Sequence, residues 1–271
     1  MQALFIGVSV FVVVSAGAFV GWIVGQRLPH QVTDEIKGLV TISTAVVATV
    51  SALSLGLLLS TANSAFTARG NNVTQISAEL IRLDRMLRWY GADADAARET
   101  LRHYAECKAT DLFPEKPEDP VRVDNPATYE LLFRVEEMLL GLHPAGPREQ
   151  WLVGQAITLA GDIGNARWLL VQQEGQGIPG ALVALVTFWL TLLFVSFGLF
   201  APRKLMAALV LVLCALAVSG AVGLILDLED PYTGLVRISP VPMRTAVEAL
   251  KQQVVMPTTL ETGASIPENC P

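Results

Sequence analysis

Four long stretches of this 271-residue sequence contain no Asp, Glu, Lys or Arg. They run from 1 to 26, 38 to 68, 175 to 202 and 205 to 226. A hydrocarbon core about 30 Å thick is crossed by about 20 helical residues, so each stretch is long enough to span it. Backbone groups in lipid must be paired within the segment, which favours helices. The sequence therefore predicts four transmembrane helices.

The charged residues concentrate between the second and third stretches. Segment 61–176 holds 12 of the 19 basic and 17 of the 25 acidic residues. We therefore predict an all-α integral membrane protein, with four transmembrane helices in two hairpins and a helical soluble domain between spans two and three. The predicted units are transmembrane hairpin 1 at 1–60, the soluble helical domain at 61–177, transmembrane hairpin 2 at 178–227 and a C-terminal tail at 228–271.

Two apolar seams predict how the soluble helices pack. The first seam repeats at alternating spacings of three and four residues, as in a helix with one buried face. Its members are Val73, Ile76, Leu80, Leu83 and Leu87. The second seam has the members Leu152, Ala156, Leu159, Ile163, Ala166 and Leu170. Span two carries a similar stripe, so one long helix is expected to leave the membrane, with Gly70-Asn71-Asn72 as the place of any bend or break.

Capping residues predict the limits of the other soluble helices. A helix is expected to begin with Asp93 or Asp95 as its N-cap and to end near Lys108. Asn125-Pro126 reads as an N-cap followed by a first-turn proline, for a helix that ends near Gly141. A last helix is expected to begin near Gly146-Pro147.

Residue patterns typical of enzymes and metal proteins are not found in the sequence. The three histidines lie far apart, and the three cysteines are scattered, so we expect no metal site, no cofactor and no catalytic residue. No phosphate-binding loop or nucleophile elbow is found either. The net charge of −6 and the lack of a basic cluster argue against nucleic acid as a partner.

Span two contains a stripe of uncharged polar and apolar residues that has two interpretations. Its members are Thr41, Thr44, Ser51, Leu55 and Leu58. The stripe is a candidate pore lining, in which hydroxyl groups lead to a hydrophobic constriction. The alternative is ordinary helix packing, because small and hydroxylated residues let transmembrane helices approach closely.

A second candidate element follows span four at the membrane boundary. The junction motif contains Asp227, Asp230, Pro231 and Gly234. Its carboxylates are suited to holding a cation or to capping a neighbouring helix. The simpler interpretation is a solvated helix end that Pro231 terminates. We expect Asp227 and Asp230 to be structural rather than catalytic.

The sequence resembles the bestrophin-like membrane proteins of bacteria. The resemblance rests on Leu55-Gly56-Leu57-Leu58-Leu59-Ser60-Thr61-Ala62, on Glu79-Leu80-Ile81-Arg82-Leu83-Asp84 and on Asp227-Leu228-Glu229-Asp230-Pro231-Tyr232-Thr233-Gly234. Bestrophins proper are pentameric anion channels whose second span lines the pore. The resemblance thus implies a homo-oligomeric channel for an inorganic anion such as chloride, and it favours the pore interpretation of the stripe.

The resemblance and the charge pattern also imply a location. Span parity puts the soluble domain and both termini on the same side, and the positive-inside rule predicts that this side is cytoplasmic. The expected location is the bacterial inner membrane, with the lipid bilayer as a partner. The alternative function is a membrane-anchored scaffold or sensor whose cytoplasmic helical domain binds a protein partner without conduction.

Overall fold

The computed structural model describes residues 2–27, 34–116, 119–174, 177–202 and 204–252. Within these ranges the chain forms α-helices and one short 3₁₀ helix, with no β-strand. The α-helices are α1 (Gln2–Arg27), α2 (Asp34–Tyr90), α3 (Asp95–Leu112), α4 (Pro126–Leu140), α5 (Pro147–Glu174), α6 (Gly180–Phe200), α7 (Leu205–Asp227) and α8 (Val241–Lys251). Helices α1, α2, α6 and α7 are long and apolar enough to cross a membrane. The predictions of an all-helical fold and of four such helices are therefore confirmed for the described part of the chain.

Helix α2 is unbroken over 57 residues. At 1.5 Å per residue it is about 85 Å long, nearly three times the thickness of a hydrocarbon core. The segment Gly70-Asn71-Asn72 stays helical, so the prediction of one long helix is confirmed and no break forms there. A glycine lowers the stability of a helix by about 1 kcal/mol relative to alanine. The packing of Arg69 and Val73, which are buried on either side of Gly70, offsets this loss.

Both predicted apolar seams lie in the core of one bundle. We call this the middle bundle; it consists of α3, α4, α5, α8 and the part of α2 after residue 70. The five residues of the α2 seam are at most 1% exposed, and the six residues of the α5 seam are at most 6% exposed. Helix α2 packs along α5 and α8, and α3 packs on α4. The seams are therefore confirmed as the packing surfaces of α2 and α5.

The predicted helix limits hold for α4 and α5 but not for α3. The side chain of Asn125 accepts a hydrogen bond from the amide of Ala127 (3.1 Å), and Pro126 is the first residue of α4. Helix α5 begins at Pro147, as expected. Both starts depend on local capping chemistry, which the sequence displays directly.

The predicted cap and end of α3 are wrong. The residue at the N-cap is Ala94, because a 3₁₀ turn at Ala92–Ala94 leads into the helix after Gly91, whose φ is +113°. The helix also continues past Lys108 to Leu112. Lys108 is buried and donates a hydrogen bond to the carbonyl oxygen of Val123 (2.7 Å), so a distant loop stabilises the extra turn.

The first span packs on the last two spans. Helix α1 lies along α6 and α7, while α2 contacts α6 and α7 from another side. Glycines at every fourth position of α1, Gly17, Gly21 and Gly25, face α6. A side-chain carbon on Gly21 would fall on the carbonyl oxygen of Val195, and one on Gly198 would fall on that of Ala18. The backbones of α1 and α6 are therefore in direct contact, as in small-residue helix pairs.

We expect Gly21→Ala to destabilise the protein, because no room exists for a methyl group between α1 and α6. Overpacking of this kind costs about 1–3 kcal/mol, and a backbone overlap puts the change at the upper end. The matched control is Gly56→Ala, since a side-chain carbon on Gly56 meets nothing within 4 Å. Thermal unfolding in detergent would compare the two variants, and equal midpoints would contradict the close α1–α6 contact.

Candidate functional site

The stripe predicted to line a pore lies largely against the other spans of the same chain. Ser51 is only 2% exposed, and Thr44 is half-buried. Leu55 and Leu58 pack against the apolar cluster formed with α1, α6 and α7. Thr41, near the start of α2, is exposed. In the single chain, the packing interpretation therefore accounts for Ser51, Leu55 and Leu58.

The opposite face of α2 is uncovered over more than thirty residues. Its exposed positions follow one another at spacings of three and four: Ile42, Val46, Thr49, Leu53, Leu57, Ser60, Ser64, Thr67, Asn71 and Thr74. We call these ten residues the outer face of α2. In the most apolar part of α2 only 6% of the residues are buried, against 28% in each of the other three spans. The single chain thus leaves its second span almost bare.

The outer face changes character along the helix. It is mainly apolar as far as Leu57, and from Ser60 to Thr74 it is polar but uncharged. Further on, Arg82 and Arg85 continue the same face and are both exposed. Asp84, between them in sequence, points to the other side, is 5% exposed and pairs with Arg88 (2.7 Å). The face therefore ends in positive charge.

The junction after α7 is organised by the carboxylate of Asp227. This residue ends α7 and is only 7% exposed. Its two oxygens accept hydrogen bonds from the backbone amides of Leu235 and Val236, each at 2.9 Å. Bonds from an amide to a charged acceptor are among the stronger hydrogen bonds in proteins. Asp227 thus folds segment 228–234 back onto the end of its own helix.

The other members of the junction motif shape this turn. A side-chain carbon on Gly234 would lie 2.9 Å from oxygen atoms of both Asp227 and Asp230, so only glycine fits there. The carbonyl of Asp230 accepts from the amide of Gly234 (2.9 Å), while its side chain is exposed. The carbonyl of Pro231 accepts from the amide of Ile238 (2.8 Å). The structure therefore brings Asp227 and Gly234 together and leaves the Asp230 carboxylate outside.

Two further residues, Arg69 and Glu229, tie the junction to three other helices. Arg69 is 6% exposed and donates to the carbonyl oxygens of Glu229 (3.0 Å) and Gln173 (2.6 Å). The carboxylate of Glu229 accepts from the amide of Ile178, just before α6. Together these bonds join α2, α5, the start of α6 and the end of α7.

The role of Arg69 was not predicted, although the sequence carries a signal for it. Arg69 falls at helical spacing between Ala62 and Val73, on the buried face of α2. A charged residue inside an otherwise apolar stripe indicates a buried partner, since an unpaired buried charge is costly. The partners themselves lie 104 and 160 residues away in sequence, so no local pattern names them.

A small cavity of about 160 Å³ lies beside this junction. Its walls include Arg69, Glu174 and Tyr232. Burial raises the pKa of Tyr232 to about 12, and its hydroxyl has no hydrogen-bond partner among the described residues. The ring of Tyr232 meets Phe113 edge-on, with centroids 6.0 Å apart. No group of three or more metal-ligating side chains occurs in the described parts of the chain.

These features define a membrane protein with four apolar helices, in which the second continues into a helical bundle. The Bestrophin-like domain matches residues 10–243, and the chain belongs to the bestrophin-like family. It is an integral membrane protein. Among curated proteins, none is significantly similar to it.

Solved structures of a bacterial bestrophin homologue from Klebsiella pneumoniae share the fold. One variant of that homologue is 16% identical, with a TM-score of 0.66, and the alignment covers 92% of this chain and 98% of the other. A second variant is 17% identical, with a TM-score of 0.64 and the same coverage. At this identity the likeness concerns the fold alone, and the alignment covers nearly the whole length of both chains.

We expect Asp227→Asn to destabilise the chain far more than Asp230→Asn. An asparagine offers one acceptor where two backbone amides point, so one buried amide loses its partner, at a cost of about 1–3 kcal/mol. Asp230→Asn removes the same charge from an exposed side chain and serves as the matched control. Thermal unfolding of both variants checks this. Equal losses of stability in the two variants would show that the negative charge matters at the junction, rather than the hydrogen bonds from the amides of Leu235 and Val236.

Proposed function

We propose that this protein is an oligomeric membrane channel for inorganic anions such as chloride, with α2 of each copy around a central pore. The observation that supports the proposal best is the bare outer face of α2. A helix that continues from an apolar span into a polar bundle, yet is uncovered along one side, needs either lipid or other copies of the chain around it. The polar residues Ser60, Ser64 and Thr67 on that face favour a water-filled path over lipid.

The proposed lining is the outer face rather than the stripe chosen from the sequence. In a ring of α2 helices, Leu53 and Leu57 form the narrow hydrophobic part, and Ser60 to Asn71 line a wider polar part. Ser51, Leu55 and Leu58 then keep α2 fixed on α6 and α7. Thr41 and Thr44 lie at helical spacing before Ser51 and Leu55, on the same side of α2, so they are not part of this proposed lining.

The charge at the end of the outer face supports anions as the permeating ions. Each copy contributes Arg82 and Arg85, which are exposed and lie one turn apart on the proposed lining. A ring of arginines raises the local concentration of anions and repels cations. The absence of Asp and Glu from 38 to 78 leaves no opposing charge on this part of the helix.

The proposed arrangement in the cell follows the family and the charge distribution. The middle bundle and both termini lie in the cytoplasm, with the two short connections on the outside of a bacterial inner membrane. The two-hairpin connectivity and a pentameric ring belong to the same proposal. Lipid surrounds the outer surfaces of α1, α6 and α7, which expose Phe19, Phe188 and Leu213.

A second candidate function is supported by aromatic residues on the middle bundle. Phe133, Trp151 and Trp168 are each at least 50% exposed, although they belong to the polar part of the chain. Exposed aromatic residues are frequent in protein interfaces. They suit either contacts between copies in the channel or a scaffold that binds a protein partner without conduction.

Cysteine accessibility distinguishes the two faces of α2. In a background with Cys107, Cys214 and Cys270 changed to Ser, we expect Leu53→Cys and Thr49→Cys to react with a charged, water-soluble thiol reagent. The matched control, Ser51→Cys, points into the protein's own core and should stay unlabelled. In planar bilayers, labelling at residue 53 should block the current, because the reagent adds bulk to the narrow part of the pore.

The same preparation tests conduction itself. We expect Leu53→Ala to raise the current through the purified oligomer and Leu53→Trp to lower it, since widening a hydrophobic constriction eases wetting. Absence of current together with unreactive cysteines at 49 and 53 would contradict the channel. The scaffold function would then be the better supported one.

Ion selectivity tests the role of the two arginines. We expect the double variant Arg82→Gln with Arg85→Gln to lower the permeability of chloride relative to sodium, measured as a shift of the reversal potential in a salt gradient. The double variant Arg134→Gln with Arg148→Gln removes the same charge from α4 and α5 and should leave the potential unchanged. An equal shift in both variants would mean that overall charge, rather than the outer face, sets selectivity.

A further inference from the structure

An open groove between α3 and α4 brings a histidine and a cysteine together. The groove has a volume of about 520 Å³ and lies on the surface of the middle bundle, away from α2 and from the junction. Among the residues that line it are His103 and Cys107, which are one turn apart on α3. The imidazole Nε2 of His103 and the thiol Sγ of Cys107 are 3.8 Å apart.

This separation matches the spacing of two ligands on one tetrahedral metal ion. Zinc binds sulfur at about 2.3 Å and imidazole nitrogen at about 2.0–2.1 Å. With a tetrahedral angle between these bonds, the two ligand atoms lie about 3.6 Å apart. A small rotation of either side chain would therefore bring the two atoms from the observed 3.8 Å to the separation of two ligands. The sequence did not predict this pair, because the three histidines lie far apart and the three cysteines are scattered.

The surroundings of the pair favour a cation. Cys107 is half-buried, and Asp111 and Glu106 line the same groove. Their carboxylates attract a positive ion. Asp111 is held in place by the side chains of Asn125 (2.9 Å) and Thr128 (2.5 Å). Glu106 pairs with Lys251 of α8 (3.2 Å) and also lines the groove.

We propose that His103 and Cys107 form a two-ligand binding site for a divalent transition-metal ion of the zinc class. Nitrogen and sulfur ligands select such ions over Ca²⁺ and Mg²⁺, which prefer oxygen. On binding, the thiol gives its proton to the solvent and the thiolate bonds to the metal. Water completes the coordination sphere, since no third ligand lies in place among the described residues. This site goes beyond the proposed channel function and does not depend on it.

Cobalt is the probe, because a Co²⁺–thiolate bond gives a charge-transfer absorption band that oxygen and nitrogen ligands do not give. Titration of the full-length protein in detergent should saturate at one Co²⁺ per chain, with the band present. An excess of Zn²⁺ should remove the band, whereas Ca²⁺ and Mg²⁺ at the same concentration should not.

Three variants make the assignment specific. Cys107→Ser should abolish the band, and His103→Gln should weaken binding by about tenfold or more, since loss of even an outer-shell partner costs about that much. The control replaces both other thiols, Cys214→Ser with Cys270→Ser, and should keep the band and the affinity. A band that survives in Cys107→Ser, or one that His103→Gln leaves unchanged, would overturn the site. Absence of any band in the unaltered protein would overturn it as well.

Discussion

A single buried stripe runs along α2 from its apolar part into the middle bundle, and most of the structure is arranged around it. Ser51 and Ala62 lie on this stripe among the spans, and Ile76 and Leu83 continue it inside the bundle, all at most 2% exposed. Because the helix is unbroken, residues at helical spacing stay on one side of it along its whole length. The side of α2 that packs on α6 and α7 is therefore also the side that packs on α5 and α8.

Where the stripe passes from the spans to the bundle, a charge replaces the apolar residues. Arg69 is buried there, and an unpaired guanidinium would be strongly destabilising. Its hydrogen bonds to the carbonyls of Gln173 and Glu229 satisfy it and hold α5 and the turn after α7 to α2. Asp227 fixes the same turn from the other side through two amides. Polar contacts thus join the apolar helices to the middle bundle. Hydrogen bonds fix the geometry of this connection more closely than apolar packing would.

The glycines of α1 explain why one side of α2 remains exposed. Gly21 and Gly198 allow α1 and α6 to touch through their backbones, so α1 occupies the space beside α6 and α7. Helix α2 then contacts these two spans with one side only, and its other side is free for lipid or for further copies of the chain. The repeat of glycine at every fourth position was visible in the sequence, but its partner helix was not. Close approach needs a complementary small surface, and several spans offer one.

Local patterns were sufficient for the spans and for much of the middle bundle. Four charge-free stretches predicted the apolar helices, Asn125-Pro126 predicted the start of α4, and the spacing of Leu80 and its neighbours predicted a buried seam. Each of these depends on a residue's preference for lipid, water or a helix terminus, and neighbours in sequence express that preference. The extension of α3 to Leu112 was not predictable in this way, because a bond from Lys108 to a later loop stabilises it.

What the sequence by itself determined is therefore that α2 has one polar and small-residue stripe, that four helices are long and apolar enough to cross a membrane, and that a charged motif follows the last of them. Only the tertiary structure decided which side of α2 the other spans cover, and that Ser51 is inside while Leu53 is outside. It also decided that the carboxylate of Asp227 is buried and accepts hydrogen bonds from the turn, while the Asp230 side chain is exposed. The physical reason is the same in both cases. Small and hydroxylated residues suit a pore and a helix contact equally well, and carboxylates suit water and backbone amides equally well, so the choice depends on groups that are brought close only by folding.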